Sequence, residues 1–399
     1  KIMKSSIHIF WPVSKALRIE ETEFSYKFCR KTSKKLCKVF FDECFFTDYF
    51  PEQSLKQIQI KAKSNVIVLV TNPELVLSPV AIDKLKNRVE KLDLICGPVY
   101  NETSFSDQMV SLNIPYINLS TYLEIAKQKV VNYSDDLIFV DRLDPACVLF
   151  PKKILESIRE STITLHELLG NITKFTDNKK ILVDKSALIH CFGNYYNTPR
   201  EDLINLVPEN IRNILDVGCA KGGYGKRIKV LRPEIYLTGV ESNSLMADIA
   251  KNYYDEIIVS KIEDLNIDKK FDLINCGDVI EHLYNPWEML KNFGKLLRKG
   301  GYLITSLPNT GHWSIVKDLL KGNFEYIPVG LQCITHIRWF TEYSIKQALK
   351  DTGFFIDVFQ KEKVPPTEEG EKFIKTMCRS GYGDEDSLKT NEFIIRVKK

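Results

Sequence analysis

A chain of 399 residues with 44% hydrophobic and 27% charged side chains is long enough for two folded domains and too apolar to be mainly disordered. Lys plus Arg number 56 against 52 Asp plus Glu, a balance that argues against a dedicated nucleic-acid binder, in which basic residues would dominate. The longest apolar runs, such as Asn65-Val-Ile-Val-Leu-Val70, are strand-length and fall far short of the roughly 18 apolar residues of a membrane span. The opening residues Lys1-Ile-Met-Lys-Ser-Ser lack the apolar stretch of a signal peptide. Ten cysteines stand singly at 29, 37, 44, 96, 147, 191, 219, 276, 333 and 378, with no Cys-x-x-Cys pair, so a reduced, cytoplasmic protein is expected.

In chain order, Ile7–Phe10 reads as a strand, and Val66–Val70 as a buried one followed by a helix beginning near Ser78-Pro79. Asp93–Cys96 and Leu137–Val140 read as strands, and Asp144–Phe150 leads into a helix over Lys152–Glu160. Residues 161–205 are polar and mixed. From Pro199 onward the rhythm is regular. Strands are predicted at Arg212–Val217, Ile235–Val240, Ile257–Val259, Phe271–Cys276, Gly301–Ser306, Phe354–Phe359 and Glu392–Val397. Helices intervene up to Leu231, over Ser244–Asn252, over Pro286–Leu297 and around Ser344–Lys350. Such alternation implies an open, mostly parallel sheet covered on both faces. Two stretches interrupt it: 307–340, rich in aromatics, His and Pro, and 361–390, whose Glu368-Glu-Gly-Glu-Lys372 and Gly381-Tyr-Gly-Asp-Glu-Asp386 predict a solvated insert. Neither an internal repeat nor a low-complexity tract is present.

Asp216-Val-Gly-Cys-Ala-Lys-Gly222 carries the sharpest chemistry. A strand that ends in glycines and runs into a helix lets a ligand approach the backbone closely. Glu241 then ends the next strand, placed to accept both hydroxyls of a ribose. Ile214-Leu-Asp-Val-Gly-Cys219 resembles motif I of class I S-adenosylmethionine-dependent methyltransferases. The resemblance continues through Phe271-Asp-Leu-Ile-Asn-Cys-Gly-Asp-Val-Ile-Glu-His-Leu-Tyr-Asn-Pro-Trp287, Arg298-Lys-Gly-Gly-Tyr-Leu-Ile-Thr-Ser-Leu-Pro-Asn309 and Thr335-His-Ile-Arg-Trp-Phe-Thr341. With the lead-in Tyr196-Asn-Thr-Pro-Arg-Glu-Asp-Leu203, it is similar to a bacterial subgroup fused to sugar transferases and associated with polysaccharide or glycolipid assembly. It covers residues 190–399.

The resemblance implies that Asp216, Gly218 and Ala220 line the methionine end of the cofactor S-adenosylmethionine, that Gly222 also binds the cofactor and that Glu241 takes its ribose. It implies that Ile262, Glu263 and Asp264 flank the adenine and that Gly277, Asp278 and Val279 close the site. Two positions depart from the family pattern: Ala220 replaces the usual second glycine, and Lys261 replaces the usual acid beside the adenine edge.

Methyl transfer is an in-line displacement, and an alcohol acceptor must also lose a proton. His282 and His336 are the candidate catalytic bases. His312, Trp313, Asn309 and Arg338 are candidates for binding a sugar or aromatic acceptor, with Tyr326 and Trp339 nearby. Plainer readings stand beside these: His282 capping its loop, His336 and Arg338 fixing the insert, and the aromatics forming lid core. No His/Cys/Asp cluster has metal-ligand spacing, so no metal is expected.

In the N-terminal part, Lys27, Arg30, Lys31, Lys34, Lys35 and Lys38 form a basic run at helical spacing, either a solvated face or an attractor of diphosphates or anionic lipid. Val66–Pro79 and Val140–Lys153 resemble two segments of A-type nucleotide-sugar glycosyltransferases. That family carries an Asp-x-Asp pair for a divalent metal where this chain has Asn72 and Glu74, which implies a degenerate, inactive domain.

The expected architecture is therefore α/β: a glycosyltransferase-like domain over 1–175, a bridging segment over 176–205, and a Rossmann-like, seven-stranded methyltransferase domain over 206–399 with inserts 307–340 and 361–390. The expected function is O-methylation of a sugar of a glycan or glycan precursor. The alternatives are a bifunctional glycosyltransferase/methyltransferase, or an N- or C-methyltransferase of small molecules with a non-catalytic binding module. The partner is a sugar or glycan acceptor, with no nucleic acid and no transmembrane segment, and with room for peripheral association with glycan-assembly machinery.

Overall fold

A computed structural model describes residues 5–13, 20–50, 55–101, 103–110, 119–132, 136–157, 181–191 and 198–399. The end of the helix expected at 158–160, the polar stretch 161–180 and Tyr196-Asn197 lie outside the described residues. The chain divides into two compact units that meet near Gly193 in the sequence.

The first unit holds strands β1 (Ser6–Pro12), β2 (Glu43–Tyr49), β3 (Val66–Val70), β4 (Leu75–Val76), β5 (Ile95–Tyr100), β6 (Leu137–Val140), β7 (Cys147–Pro151) and β8 (Ile181–Cys191). They form one mixed sheet in the order β2-β1-β3-β7-β5-β8-β4, with β6 also paired to β8. Every residue of β3 is buried, as a continuous Val/Ile/Leu run requires when both faces are covered. The helix Pro79–Leu92 begins where the sequence predicts, with Ser78 before it and Pro79 at its first turn.

β8 departs from the expectation of a bridging segment over 176–205. Its Asp184-Lys-Ser186 interruption makes the stretch look polar, yet the Asp184 carboxylate is buried and satisfied inside the unit. It accepts from the Ser186 backbone N–H at 3.0 Å and from Arg88 Nε at 3.2 Å. A buried, paired carboxylate interrupts the hydrophobic pattern without interrupting the strand.

The basic run lies on the helix Glu20–Phe40. Arg30 pairs with Asp48 at 2.5 Å, and Arg30 and Lys34 sit over the Phe46 ring at 5.5 and 5.6 Å. Part of that face therefore packs on β2. Asn72 is tied into its own turn: its Oδ1 accepts from the Glu74 N–H at 2.9 Å and its Nδ2 donates to Cys191 Sγ at 3.4 Å.

The second unit holds β9 (Asn213–Val217), β10 (Tyr236–Glu241), β11 (Glu256–Val259), β12 (Phe271–Gly277), β13 (Leu297–Pro308), β14 (Phe355–Lys363) and β15 (Thr390–Lys398). The order is β11-β10-β9-β12-β13-β15-β14, and only β15 runs antiparallel to its neighbours. This is the seven-stranded α/β sheet that the sequence predicts.

Alternate residues of each strand face opposite layers. Leu215, Val217, Ile274, Leu303 and Ile395 pack with Phe293 and Leu349 on one face. Ile214, Leu237, Leu273, Ile304 and Ile394 pack with Ile228 and Tyr254 on the other. Strand order reverses between β9 and β12, and the crevice outside their C-terminal ends is where such sheets bind ligands.

The insert 361–390 is less solvated than its charges predict. Glu368–Arg379 is a helix whose Ile374 packs with Trp313 and Leu388, so the two inserts cover each other. A Cβ on Gly370 would lie 2.7 Å from the Trp313 ring, and glycine there permits the contact. All ten cysteines are free thiols. No helix among the described residues is long and apolar enough to cross a membrane.

Candidate functional site

The loop after β9 is built from alternating left-handed residues: Gly218 (φ 71°), Ala220 (φ 48°) and Gly222 (φ 87°). The N–H groups of Gly218 and Cys219 donate to the Val240 carbonyl at 2.8 and 3.1 Å, which pins the loop to the end of β10. Ala220 carries a side chain in a conformation that costs about 1 kcal/mol for any residue but glycine. Glu241 ends β10 with its carboxylate fixed against this loop, Oε2 accepting from the Ala220 N–H at 2.9 Å and Oε1 from the Asn243 N–H at 2.8 Å.

Asp216 does not line the crevice as the resemblance implies. Its side chain is buried behind the loop, accepting from the Tyr254 hydroxyl and from Asn275 Nδ2 at 2.7 Å. Burial pushes its carboxyl up to about 6, opposed by those two hydrogen bonds. The Tyr254 hydroxyl also accepts from the Gly225 N–H at 3.0 Å, so one tyrosine ties strand, loop and helix together.

The loop after β12 closes on the first. A Cβ on Gly218 would lie 2.7 Å from Val279 Cγ2, and one on Gly277 would lie 2.6 Å from Leu203 Cδ1. Asp278 is left-handed (φ 53°), and its carboxylate is taken by Arg200 and by the Ser306 hydroxyl at 2.7 Å. Arg200 also donates to Asp202 at 2.7 Å, Ser306 Oγ at 3.0 Å and Glu392 Oε1 at 2.7 Å. Glu392 is pushed up to about 8 by burial and then by the Asp278 charge, with Arg200 opposing both. Ile262 is buried in the core, while Glu263 and Asp264 are exposed on a short turn after β11.

Beside Asp278, folding gathers residues that sequence spacing keeps apart. Among the described residues, Glu281, His282 and His336 each bring one potential ligand atom within 4.8 Å of the others. The expectation that no metal-ligand cluster exists is corrected here, because His336 comes from a distant loop. Glu281 is 1% exposed, and neither of its carboxylate oxygens has a hydrogen-bond partner among the described residues. Burial, then the Asp278 charge, raises its pKa well above the usual carboxylate range.

The two imidazoles stand edge to face with centroids 4.8 Å apart. His282 Nδ1 meets the Thr335 carbonyl at 3.0 Å and His336 Nδ1 meets the Leu331 carbonyl at 3.2 Å. A carbonyl only accepts, so each Nδ1 carries a proton and Nε2 is the ring atom left to face the cluster. Burial, and then the His282 charge, lowers His336 to about 4, keeping it neutral. The Glu281 carbonyl accepts from the Ile337 and Arg338 N–H groups at 3.0 Å each, which joins the two loops.

The proposed acceptor residues divide. Arg338 lies beside the cluster, its guanidinium bound to the Tyr284 carbonyl. Asn309, His312 and Trp313 are buried supports and do not line the crevice. Asn309 spends its amide on the Ser387, Thr390 and Gly311 backbones at 3.0, 2.8 and 2.9 Å. His312 caps the helix Trp313–Leu320 through Nδ1, and Trp313 faces the helix Glu368–Arg379. Their composition predicts a lid, but burial makes them its foundation. Sequence reasoning missed Arg200, Tyr254, Asn275, Glu281 and Glu392 as site residues; Glu281 adjoins His282 within the quoted motif and was the one legible there.

Residues 185–357 match the family model described as a methyltransferase domain. The chain is 31% identical over 128 residues to a ubiquinone biosynthesis O-methyltransferase of Coxiella burnetii, a match covering 30% of this chain and 54% of the relative. It is 26% identical over 137 residues to the mitochondrial ubiquinone biosynthesis O-methyltransferase of Dictyostelium discoideum, covering 30% and 42%. The chain thus spans about half the length of the first of these relatives (54%).

Among solved structures, an S-adenosylmethionine-dependent methyltransferase of Archaeoglobus fulgidus aligns over 52% of this chain and 98% of its own, at 18% identity and a TM-score of 0.36. The match over residues 185–357 supports an S-adenosylmethionine-dependent methyltransferase, with S-adenosylmethionine as methyl donor. The residues present fit that donor: the left-handed turn Gly218–Gly222 brings bare backbone to the end of the sheet, and Glu241 presents a fixed carboxylate at its edge.

Proposed function

We propose that this chain transfers a methyl group to an acceptor hydroxyl, on a sugar of a glycan or glycan precursor. The observation that carries the oxygen chemistry is the Glu281, His282 and His336 cluster, set on the loop that packs against the glycine loop through Val279. S-adenosylmethionine supplies an already electrophilic methyl. The protein's own task is to hold the acceptor in line and remove its proton. Gly218 and Gly222 hold the donor by backbone approach, and Glu241 holds its ribose. His282, with Nδ1 committed to Thr335, directs a basic Nε2 to the acceptor proton. Phe324, Tyr326 and Trp339 stack edge to face at 5.2 and 5.3 Å, an apolar surface suited to the flat side of a sugar ring. A second reading, a phenolic hydroxyl, is favoured by relatives named as ubiquinone biosynthesis O-methyltransferases.

The first unit transfers no sugar in this proposal. The family's metal pair is replaced by Asn72 and Glu74, and both ends of the Asn72 amide are already spent.

One incubation tests both parts. The full chain, S-adenosylmethionine and manganese are mixed with nucleotide sugars, short glycans and phenols, and products are read by mass spectrometry. A sugar that gains one CH2 on oxygen, with matching release of demethylated cofactor and no free nucleoside diphosphate, is expected. Methylation confined to nitrogen or carbon contradicts the oxygen reading. Methylation of phenols alone replaces the sugar, and metal-stimulated nucleotide release makes the chain bifunctional.

A further inference from the structure

We propose that Glu281, His282 and His336 form a binding site for one divalent cation of the zinc, cobalt or manganese type. The first support is geometric. Glu281 Oε1 lies 3.8 Å from His336 Nε2, and ligand atoms of all three residues lie within 4.8 Å of one another. Ligands about 2.0–2.2 Å from a tetrahedral ion stand about 3.3–3.6 Å apart, so side-chain rotations of about an ångström complete the set.

The second support is the carboxylate itself. Glu281 is 1% exposed and neither oxygen has a hydrogen-bond partner among the described residues, an arrangement that a buried acid tolerates poorly unless something binds it. Asp278 does not fill this role for the site, because Arg200 and Ser306 already occupy it. The third support is orientation. Both imidazoles donate Nδ1–H to backbone carbonyls of one loop, Thr335 and Leu331, which leaves Nε2 as the ring atom turned to the cluster. That is how ligating histidines are held, by a bond behind the ring.

Two nitrogens and one carboxylate oxygen suit a borderline cation better than calcium or magnesium, which favour all-oxygen shells. Three protein ligands leave a position open for the acceptor. The cation's role rests on the proposed hydroxyl methylation. An acceptor oxygen placed there loses its proton to water more readily. Its lone pair forms the new O–CH3 bond while the C–S pair leaves on sulfur. With the ion bound, His282 and His336 are its ligands, and water takes the proton that His282 takes when no ion is bound.

Cobalt(II) serves as the probe, because its visible bands report nitrogen and oxygen ligation without turnover. Chelator-treated full-length protein should take up one cobalt per chain with ligand-field bands. Glu281→Gln, close in shape, and His336→Ala should each weaken uptake at least tenfold while S-adenosylmethionine affinity stays at the wild-type value. No uptake by the wild type, or equal uptake by Glu281→Gln, overturns the site. Methyl transfer by protein that binds no cobalt removes the metal and leaves the proposed function standing. Uptake without any methyl transfer does the reverse.

Discussion

At the scale of single residues, burial turns several polar groups from ligands into supports. His312 illustrates this and carries a test. Burial lowers its pKa from 6.5 to about 3, so the folded chain holds it neutral while the unfolded chain protonates it below 6.5. A depressed folded pKa gives stability that is complete above 6.5 and is lost as pH falls toward the folded value. Between pH 7.5 and pH 5 this one group should withdraw about 2 kcal/mol. His312→Asn keeps an acceptor for the Ser314 N–H, which the imidazole now caps, but cannot titrate. Urea unfolding at the two pH values should show a smaller acid loss in the variant, by about 2 kcal/mol. An unchanged loss contradicts the assignment of a buried, neutral His312. Asp216 and Asn309 belong to the same class, since both sit where a motif points to a ligand and both are consumed by neighbouring protein groups.

At the scale of elements, the two inserts cover each other. Gly370 and Trp313 approach so closely that a Cβ at 370 meets the indole at 2.7–2.9 Å. Gly370→Val should cost about 1–3 kcal/mol by overpacking, read as a lower melting temperature, with cofactor affinity little changed. A variant as stable as the wild type would mean that the two inserts do not pack as described. The seven strands around the crevice were legible because parallel strands buried on both faces are short apolar runs between glycine turns. β8 was not, because Asp184 breaks its apolar run and only Arg88, far away in sequence, explains why that is tolerated. The helix Glu368–Arg379 was hidden similarly: its charges dominate composition, while its buried stripe needs Trp313 to be recognised.

At the scale of the whole molecule, the chain joins a methyltransferase domain to an α/β unit with a mixed sheet of its own. The glycine loop and Glu241 were readable in sequence, since strand, loop, helix and strand-terminal acid follow one another directly. The Glu281, His282 and His336 cluster was readable only in part, because one member arrives from another loop and a lone histidine carries no geometry. The proposed placement puts the cofactor against the loop Gly218–Gly222, with its ribose on the Glu241 carboxylate that is fixed to that loop. Calorimetric titration of S-adenosylmethionine into wild-type protein and Glu241→Ala tests it directly. Two charge-assisted hydrogen bonds from the ribose are each worth about 1.5–3 kcal/mol, so the variant should bind at least tenfold more weakly while its far-ultraviolet spectrum is unchanged. Wild-type affinity in Glu241→Ala would contradict the placement of the cofactor.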